Sequence, residues 1–441
     1  MRRMTHGDEV YCDANATHPL LPSVRKHLTQ VLNNESESLG NPSSVHITGQ
    51  RAKKTVFELK NALAEWLGAK EAEEFILCSG ATEAINLAIR GFVRDTRSRS
   101  LKPVLLATRI EHAAVLDTLA DLKDQAEIHL LEVDSSGQFS IEELLNKIEA
   151  LLSDPNAALL LCLQLANNEC GSTYDFSFLP EYWKRFGPKS RLDLPKIKGG
   201  TYPKTPQRVW LFLDAVQALG KMPEDYIRRA LHYSDYCVLS SHKIGGPTGI
   251  GALWLRGKSP FAASLTGGSQ EKKRRAGTHN ILGIHGFLAA VQDWRAHGDE
   301  YRKRLKALRE KLLLEIKSVP NLHLHALLGD QLPALPNTLN FHVDDCEEDS
   351  LVIALDLGGV RSSSGSACHS GSLKASPVLL AMGYSEDVAR SSLRISLHHL
   401  LSDKDIEMVS KKIIEKIDQV RKAKELAQRI LPRIEIVNEA R

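Results

Sequence analysis

Short, unbroken apolar runs punctuate the first half of the chain: EFILCS, PVLLAT, IHLLEV, AALLLCLQLA, VWLFLDA and YCVLSS. Between them lie stretches with apolar residues at helical spacing. HITGQRAKKTVFELKNALAEWLG stops at Gly68, TEAINLAIRGFV and EHAAVLDTLADL follow, and SIEELLNKIEALL opens on Ser140. A strand with one face in water alternates polar and apolar residues, whereas an uninterrupted run reads as a strand covered on both faces. Strands of that kind alternating with helices predict the α/β class, built on a parallel sheet with helices on either side.

After about residue 297 the texture changes. YRKRLKALREKLLLEIKSV reads as a long charged helix. LHLHALL and NTLNFHV follow, then helical EDSLVIALDL, a serine-rich loop at 361–374, SLRISLH, and a final helix from DKDIEMV onward. Mixed strands and helices there predict a smaller α+β domain. The expected division is a large domain over 17–297 and a small one formed by 1–16 with 298–441. Within the large domain, residues 187–208, GPKSRLDLPKIKGGTYPKTPQR, read as an inserted surface loop rich in Pro, Gly, Lys and Arg.

With 57 basic and 54 acidic side chains the net charge is only +3, so nothing favours a nucleic-acid partner. The longest apolar run is far too short to span a membrane, and the N-terminus lacks the apolar core of a signal peptide. Seven dispersed cysteines, none in a CxxC pair, argue against a zinc ribbon and for a reducing compartment. The cytoplasm is the expected location.

Three stretches then combine into a site. LSSHKIGGPTGIGALWL puts Lys243 after a strand, behind Ser240, Ser241 and His242 and ahead of a glycine-rich turn. CSGATEAINLAI places a turn of small residues before a helix. Its first residues, Ala81 and Thr82, offer backbone N–H groups and a hydroxyl to an anion such as phosphate. VWLFLDAVQALG ends on Asp214, at the strand end where open α/β sheets bind ligands. A carboxylate there can hold a pyridine nitrogen protonated, which makes the ring a better electron sink. Singly, these are a surface lysine, a capped turn and a helix N-cap. In this order they specify a pyridoxal phosphate (PLP) site.

The chain resembles the cysteine desulfurases of the class-V aminotransferase superfamily, fold-type-I PLP enzymes. The resemblance runs from YCDANATHPLLPSV to SSLRISLHHLLSDKDI, through GNPSSVHITGQRAKK, SGATEAINLAIRG, IEHAAVLDT, LANNECG, LDAVQALGK, SSHKIGGPTGIGALW, RRAGTHN, NTLNFHV and SSSGSACHSGS. It implies a mostly parallel seven-stranded sheet between helices. Lys243 would carry PLP and move protons at the substrate α-carbon. Asp214 would pair with the ring nitrogen, and His112 would stack on the ring. Asn168 and Gln217 would sit near the phenolic oxygen, and Ala81, Thr82, Ser240 and His242 would hold the phosphate. Arg394 would bind the substrate carboxylate, with Asn168 beside it. Thr278 would reach the phosphate of the other subunit's cofactor in an obligate homodimer. Plainer roles compete: a helix cap for His112, a structural ion pair for Arg394, fold support for Asn168 and Gln217.

Cys368 stands in RSSSGSACHSGSLK, where no core can form. A desulfurase needs a reachable, mobile thiolate to take sulfur from the substrate. The resemblance therefore implies that L-cysteine becomes L-alanine while Cys368 becomes a persulfide, with no metal required. The loop is similar to those of the longer-loop branch that serves iron–sulfur cluster assembly, which implies a sulfur-acceptor protein as partner. Selenocysteine lyase, with the same residues, and a non-catalytic interaction protein on the PLP fold are the competing expectations. The insertion at 187–208 and the C-terminal RILPRIEIVNEAR depart from the family pattern, and both bear on the acceptor rather than on the chemistry.

Overall fold

The computed structural model describes residues 9–33, 39–187, 207–326, 334–346, 348–364 and 375–439, with the side chains of the last helix described to residue 427. Most of the 187–208 insertion and residues 365–374 of the serine-rich loop, Cys368 among them, lie outside the described residues.

Thirteen strands are described. β1 is Val10–Tyr11, β2 Phe75–Cys78, β3 Lys102–Thr108, β4 Glu127–Leu131, β5 Ala157–Gln164, β6 Val209–Asp214, β7 Tyr236–Ser240 and β8 Gly251–Leu255. β9 is Leu322–Leu324, β10 Thr338–Val343, β11 Val360–Arg361, β12 Ser363–Ser364 and β13 Leu393–Ser396. The main sheet has seven strands in the order β2-β8-β7-β6-β5-β3-β4. All run parallel except β8, which is antiparallel to both its neighbours.

β5 shows why the continuous apolar runs become central strands. All eight of its residues are buried. Leu159, Leu161 and Leu163 point into one apolar cluster, and Ala158, Leu160 and Cys162 into a second on the opposite face. A period of two thus serves two cores, because helices cover both faces. The expected helix signals hold as well. Gly68 ends its helix at φ 70° and Ser140 caps its helix by accepting from the Glu143 N–H at 3.2 Å.

A third apolar cluster lies under the four-stranded antiparallel sheet β12-β13-β10-β9 and includes Val10 and Cys12 from the N-terminus. The charged helix expected from about 301 is in fact one helix, Ile281–Ile316. Its first half gives Ile284, Phe287, Val291 and Trp294 to the large-sheet core, and its second half gives Leu308, Leu312 and Ile316 to the third cluster. The change of texture near 297 therefore marks a change of burial partner within one helix, not a break in the chain.

Where the two cores meet, His18, His398 and His399 are buried together, and His399 stacks on Tyr301 with centroids 3.7 Å apart. Burial pushes all three imidazoles down to about 3. An unfolded histidine takes up its proton near 6.5, and these do so only near 3. Their contribution to stability is therefore lost as pH falls through that window, at about 2 kcal/mol each by pH 5. His399→Phe, which keeps the stack on Tyr301, should recover about 2 kcal/mol of the stability lost between pH 7 and 5, read as urea midpoints at the two pH values.

Candidate active site

The parallel strands deliver their last residues to one edge. Gln164 pairs in register with Asp214 across β5 and β6, and Ser240 ends β7 beside them. A cavity of about 500 Å3 opens there. Ala81, Thr82, His112, Asn168, Asp214, Gln217, Ser240, His242, Lys243 and Arg394 all line it. Of the residues singled out from the sequence, Thr278 is exposed at the surface and does not line the cavity, and Cys368 lies outside the described residues.

Lys243 follows β7 in a single helical turn, Ser241–Ile244, ended by Gly245 at φ 78°. Its Nζ donates to the backbone carbonyls of Asn15 (2.6 Å) and Ala16 (2.8 Å). Asp214 is buried and accepts from the Val216 N–H at 2.9 Å. Burial pushes its carboxyl upward, and His112 and Lys243 nearby oppose that shift. A carboxylate so desolvated favours an added cation, and a protonated ring nitrogen is one.

The phosphate side is equally prepared. Gly80 precedes the helix Ala81–Ser98 without a side-chain cap, so no side chain of the N-cap competes for the first N–H groups. A Cβ at Gly80 would meet nothing within 4 Å. Ser240 Oγ is buried without a hydrogen-bond partner, which a phosphate oxygen would supply. Burial, and next Lys243, push His242 down to about 4, so it is neutral until an anion arrives to reverse the sign. An unpartnered hydroxyl, an uncapped helix start and a desolvated carboxylate at opposite sides of one cavity fit PLP.

The plainer roles are real too. His112 caps the helix Ala113–Asp121, accepting from the Ala114 N–H at 3.0 Å. Arg394 pairs with Asp13 (2.7 Å) and donates to the Asn168 carbonyl (3.2 Å), while its Nε is buried without a partner. These residues hold the site together and face the cavity at once.

Two contributors carried no signal of their own. Asn15 is the hub: its carbonyl takes Lys243 and Gln217, its Oδ1 takes Lys221 and Asn337, and its amide donates to Thr338 and the Asn168 carbonyl. Lys221 is fully buried, donates to Gln217 Oε1 (2.5 Å) and Asn15 Oδ1 (3.2 Å), and burial pushes its amine well down. DANAT quoted alone is a polar stretch, and a lysine four residues past a glutamine reads as surface. Lys221→Met would strand the Gln217 oxygen. It should cost about 1–3 kcal/mol of stability and loosen PLP, measured by urea unfolding and by cofactor loss on gel filtration.

A mainly parallel seven-stranded sheet that gathers a lysine, a buried aspartate and an open helix start around one cavity defines a fold-type-I PLP enzyme. The aminotransferase class-V family matches residues 10–190 and 199–409, and the chain belongs to that family. Among curated relatives, a protein named cysteine desulfurase IscS from Methanosarcina thermophila is 33% identical over 419 residues, 95% of this chain and 94% of that one. A cysteine desulfurase from Cereibacter sphaeroides is 34% identical over 417 residues, 94% and 97% of the two chains. Among solved structures, a NifS-like protein from Rickettsia africae superposes with a TM-score of 0.76 at 26% identity, covering 93% of this chain and 99% of that one. A structure titled SspA in complex with cysteine matches with a TM-score of 0.65 at 26% identity over 88% of this chain and 98% of that one.

Proposed function

We propose that the protein is a PLP-dependent cysteine desulfurase. It converts L-cysteine to L-alanine and loads the sulfur on Cys368 as a persulfide, for transfer to an acceptor protein in iron–sulfur cluster or other sulfur-compound synthesis. The carrying observation is that ten residues drawn from six separate stretches of sequence line one cavity.

PLP, when bound, supplies an electron sink for the bond-breaking at the substrate α-carbon. The rest falls to the chain. Lys243, steered by the Asn15 and Ala16 carbonyls, takes and returns the α-proton. Asp214 would keep the ring nitrogen protonated, while His112 would cover the ring. Ala81, Thr82, Ser240 and His242 would hold the phosphate, and Asn168 and Gln217 would serve the phenolic oxygen. Arg394, fixed by Asp13, receives the substrate carboxylate with its planar fork of donors. The Cys368 thiolate attacks the substrate sulfur: an S–S bond forms, the C–S bond breaks, and the former β-carbon takes a proton to give alanine.

Thr278 serves the partner subunit's cofactor in a homodimer. Its segment is pinned by the Arg275–Glu83 ion pair (2.7 Å) beside the phosphate helix and by the buried Lys60–Glu271–His279 group. Two domains, 17–297 and 1–16 with 298–441, frame the site. The protein's place of work would be the cytoplasm; among the described residues no helix is long and apolar enough to cross a membrane.

The test is direct. Protein loaded with PLP should be yellow and, given L-cysteine, should yield alanine and a protein persulfide in equal amounts. A colourless protein would favour the non-catalytic reading, and alanine from selenocysteine alone would favour the lyase.

A further inference from the structure

On the far side of the small sheet, β9 and β10 form an antiparallel ribbon in which His342 lies directly opposite His323. The strand period puts Leu322, Leu324, Phe341 and Val343 into or against the third core. It leaves His323, His325, Asn340 and His342 on the other face, with Asp344 just past the strand. His323 and His342 stack with centroids 4.8 Å apart. Both aim Nε2 at the Asp344 carboxylate, at 3.2 and 3.6 Å. No Lys or Arg pairs with that carboxylate among the described residues.

The hydrogen bonds behind these rings fix the protons. The Asn340 amide nitrogen donates to the Glu169 carbonyl (3.1 Å), so its Oδ1 faces His325 Nδ1 (2.6 Å) and must accept. His325 Nδ1 is therefore the protonated nitrogen. With Nδ1 protonated, Nε2 of the neutral His325 ring is an acceptor. That atom lies 2.8 Å from His342 Nδ1, which must donate to it. With its Nδ1 donating to His325, the neutral His342 ring turns the lone pair of Nε2 toward the Asp344 carboxylate. Two acceptors facing each other repel unless a cation sits between them. A histidine whose second nitrogen donates to a fixed partner is the usual arrangement of a metal ligand.

We propose that His323, His342 and Asp344 form a surface site for a divalent transition ion of zinc type, with His325 and Asn340 orienting the ligand His342. The three ligand atoms lie within 4.8 Å of one another. Donors at about 2.0–2.1 Å from a tetrahedral ion stand about 3.3–3.4 Å apart, and each imidazole nitrogen lies near that distance from one carboxylate oxygen, His323 Nε2 from Oδ2 and His342 Nε2 from Oδ1. Two imidazoles and a carboxylate suit Zn2+ and leave a fourth position for water. The chain His342–His325–Asn340–Glu169 ends next to Asn168 at the cavity, so the ion would brace the active-site loop from outside. The site lies apart from the PLP chemistry and stands whether or not the desulfurase reading holds.

The test is zinc titration of the full-length PLP-loaded protein, using Zn2+ alone against a chromophoric chelator. His323→Gln and Asp344→Asn are at exposed positions and should fold. Each should weaken one zinc equivalent at least tenfold, and His325→Gln should do so by about 10- to 100-fold through its bond to His342. X-ray absorption of that equivalent should show nitrogen and oxygen donors near 2.0–2.1 Å. Equal zinc stoichiometry and affinity in the unaltered protein and both exposed variants, or a shell dominated by sulfur near 2.3 Å, would overturn the proposal.

Discussion

Lys243→Ala is expected to remove desulfuration, by on the order of 10^4- to 10^6-fold in kcat/KM, the range seen when an essential catalytic group is deleted. Two lysines lie at or near the site, Lys243 half-buried and Lys221 buried, and the geometry separates them. Lys243 lines the cavity, with Nζ on the backbone carbonyls of Asn15 and Ala16 at its edge. Lys221 stands behind Gln217 and Asn15 and does not reach the cavity wall. Borohydride reduction of the PLP-loaded protein, followed by mass spectrometry of its peptides, should therefore find the cofactor on Lys243 and no adduct in the variant. Because the phosphate cradle and Asp214 are untouched, the variant should still bind PLP reversibly. An adduct on Lys221, with turnover retained in Lys243→Ala, would refute the assignment.

The residues that the adduct experiment addresses differ in how far local sequence sets their place. The phosphate turn, Asp214 and Lys243 each sit at the end of a strand or the start of a helix. Local sequence sets those positions, so they were legible. The strands around them were legible for a related reason: a run such as AALLLCLQLA has no other stable home than a sheet covered on both faces. β8 was not, because GIGALWL is masked by the glycines of the turn before it. The hub at Asn15 was hidden by distance, since it lies 228 residues from Lys243 and shows its role only when the N-terminus folds across the sheet edge. The resemblance puts Arg394 at the site, while its pairing with Asp13 depends on β13 meeting the N-terminal segment, which no local pattern announces. The zinc-type cluster was invisible for the same reason. LHLHA and NFHVD become one face only in the register that sets His342 against His323.

Cys368→Ser should abolish persulfide formation and lower alanine production from L-cysteine on the order of 10^3-fold or more, while leaving PLP on Lys243 and the visible band intact. Chemistry and chain length both support this. The six other cysteines, Cys12, Cys78, Cys162, Cys170, Cys237 and Cys346, are all buried. Burial pushes their thiols upward, Cys170 to about 11, so none offers a thiolate at neutral pH. The two ends of the segment bearing Cys368 are anchored beside the cavity. At one end Ser363 pairs in register with Arg394, and at the other Ser376 Oγ donates to Glu169 Oε2 at 2.5 Å, next to Asn168. Four residues of extended chain beyond Ser364 reach at most about 13–14 Å, so the Cys368 thiol is tethered within that range of the strand that pairs with Arg394. Serine keeps the size and the reach and loses only the nucleophile, since its hydroxyl stays protonated and cannot carry a second sulfur. Full alanine yield from Cys368→Ser would mean that sulfur leaves by another route, and only the PLP half of the mechanism would survive.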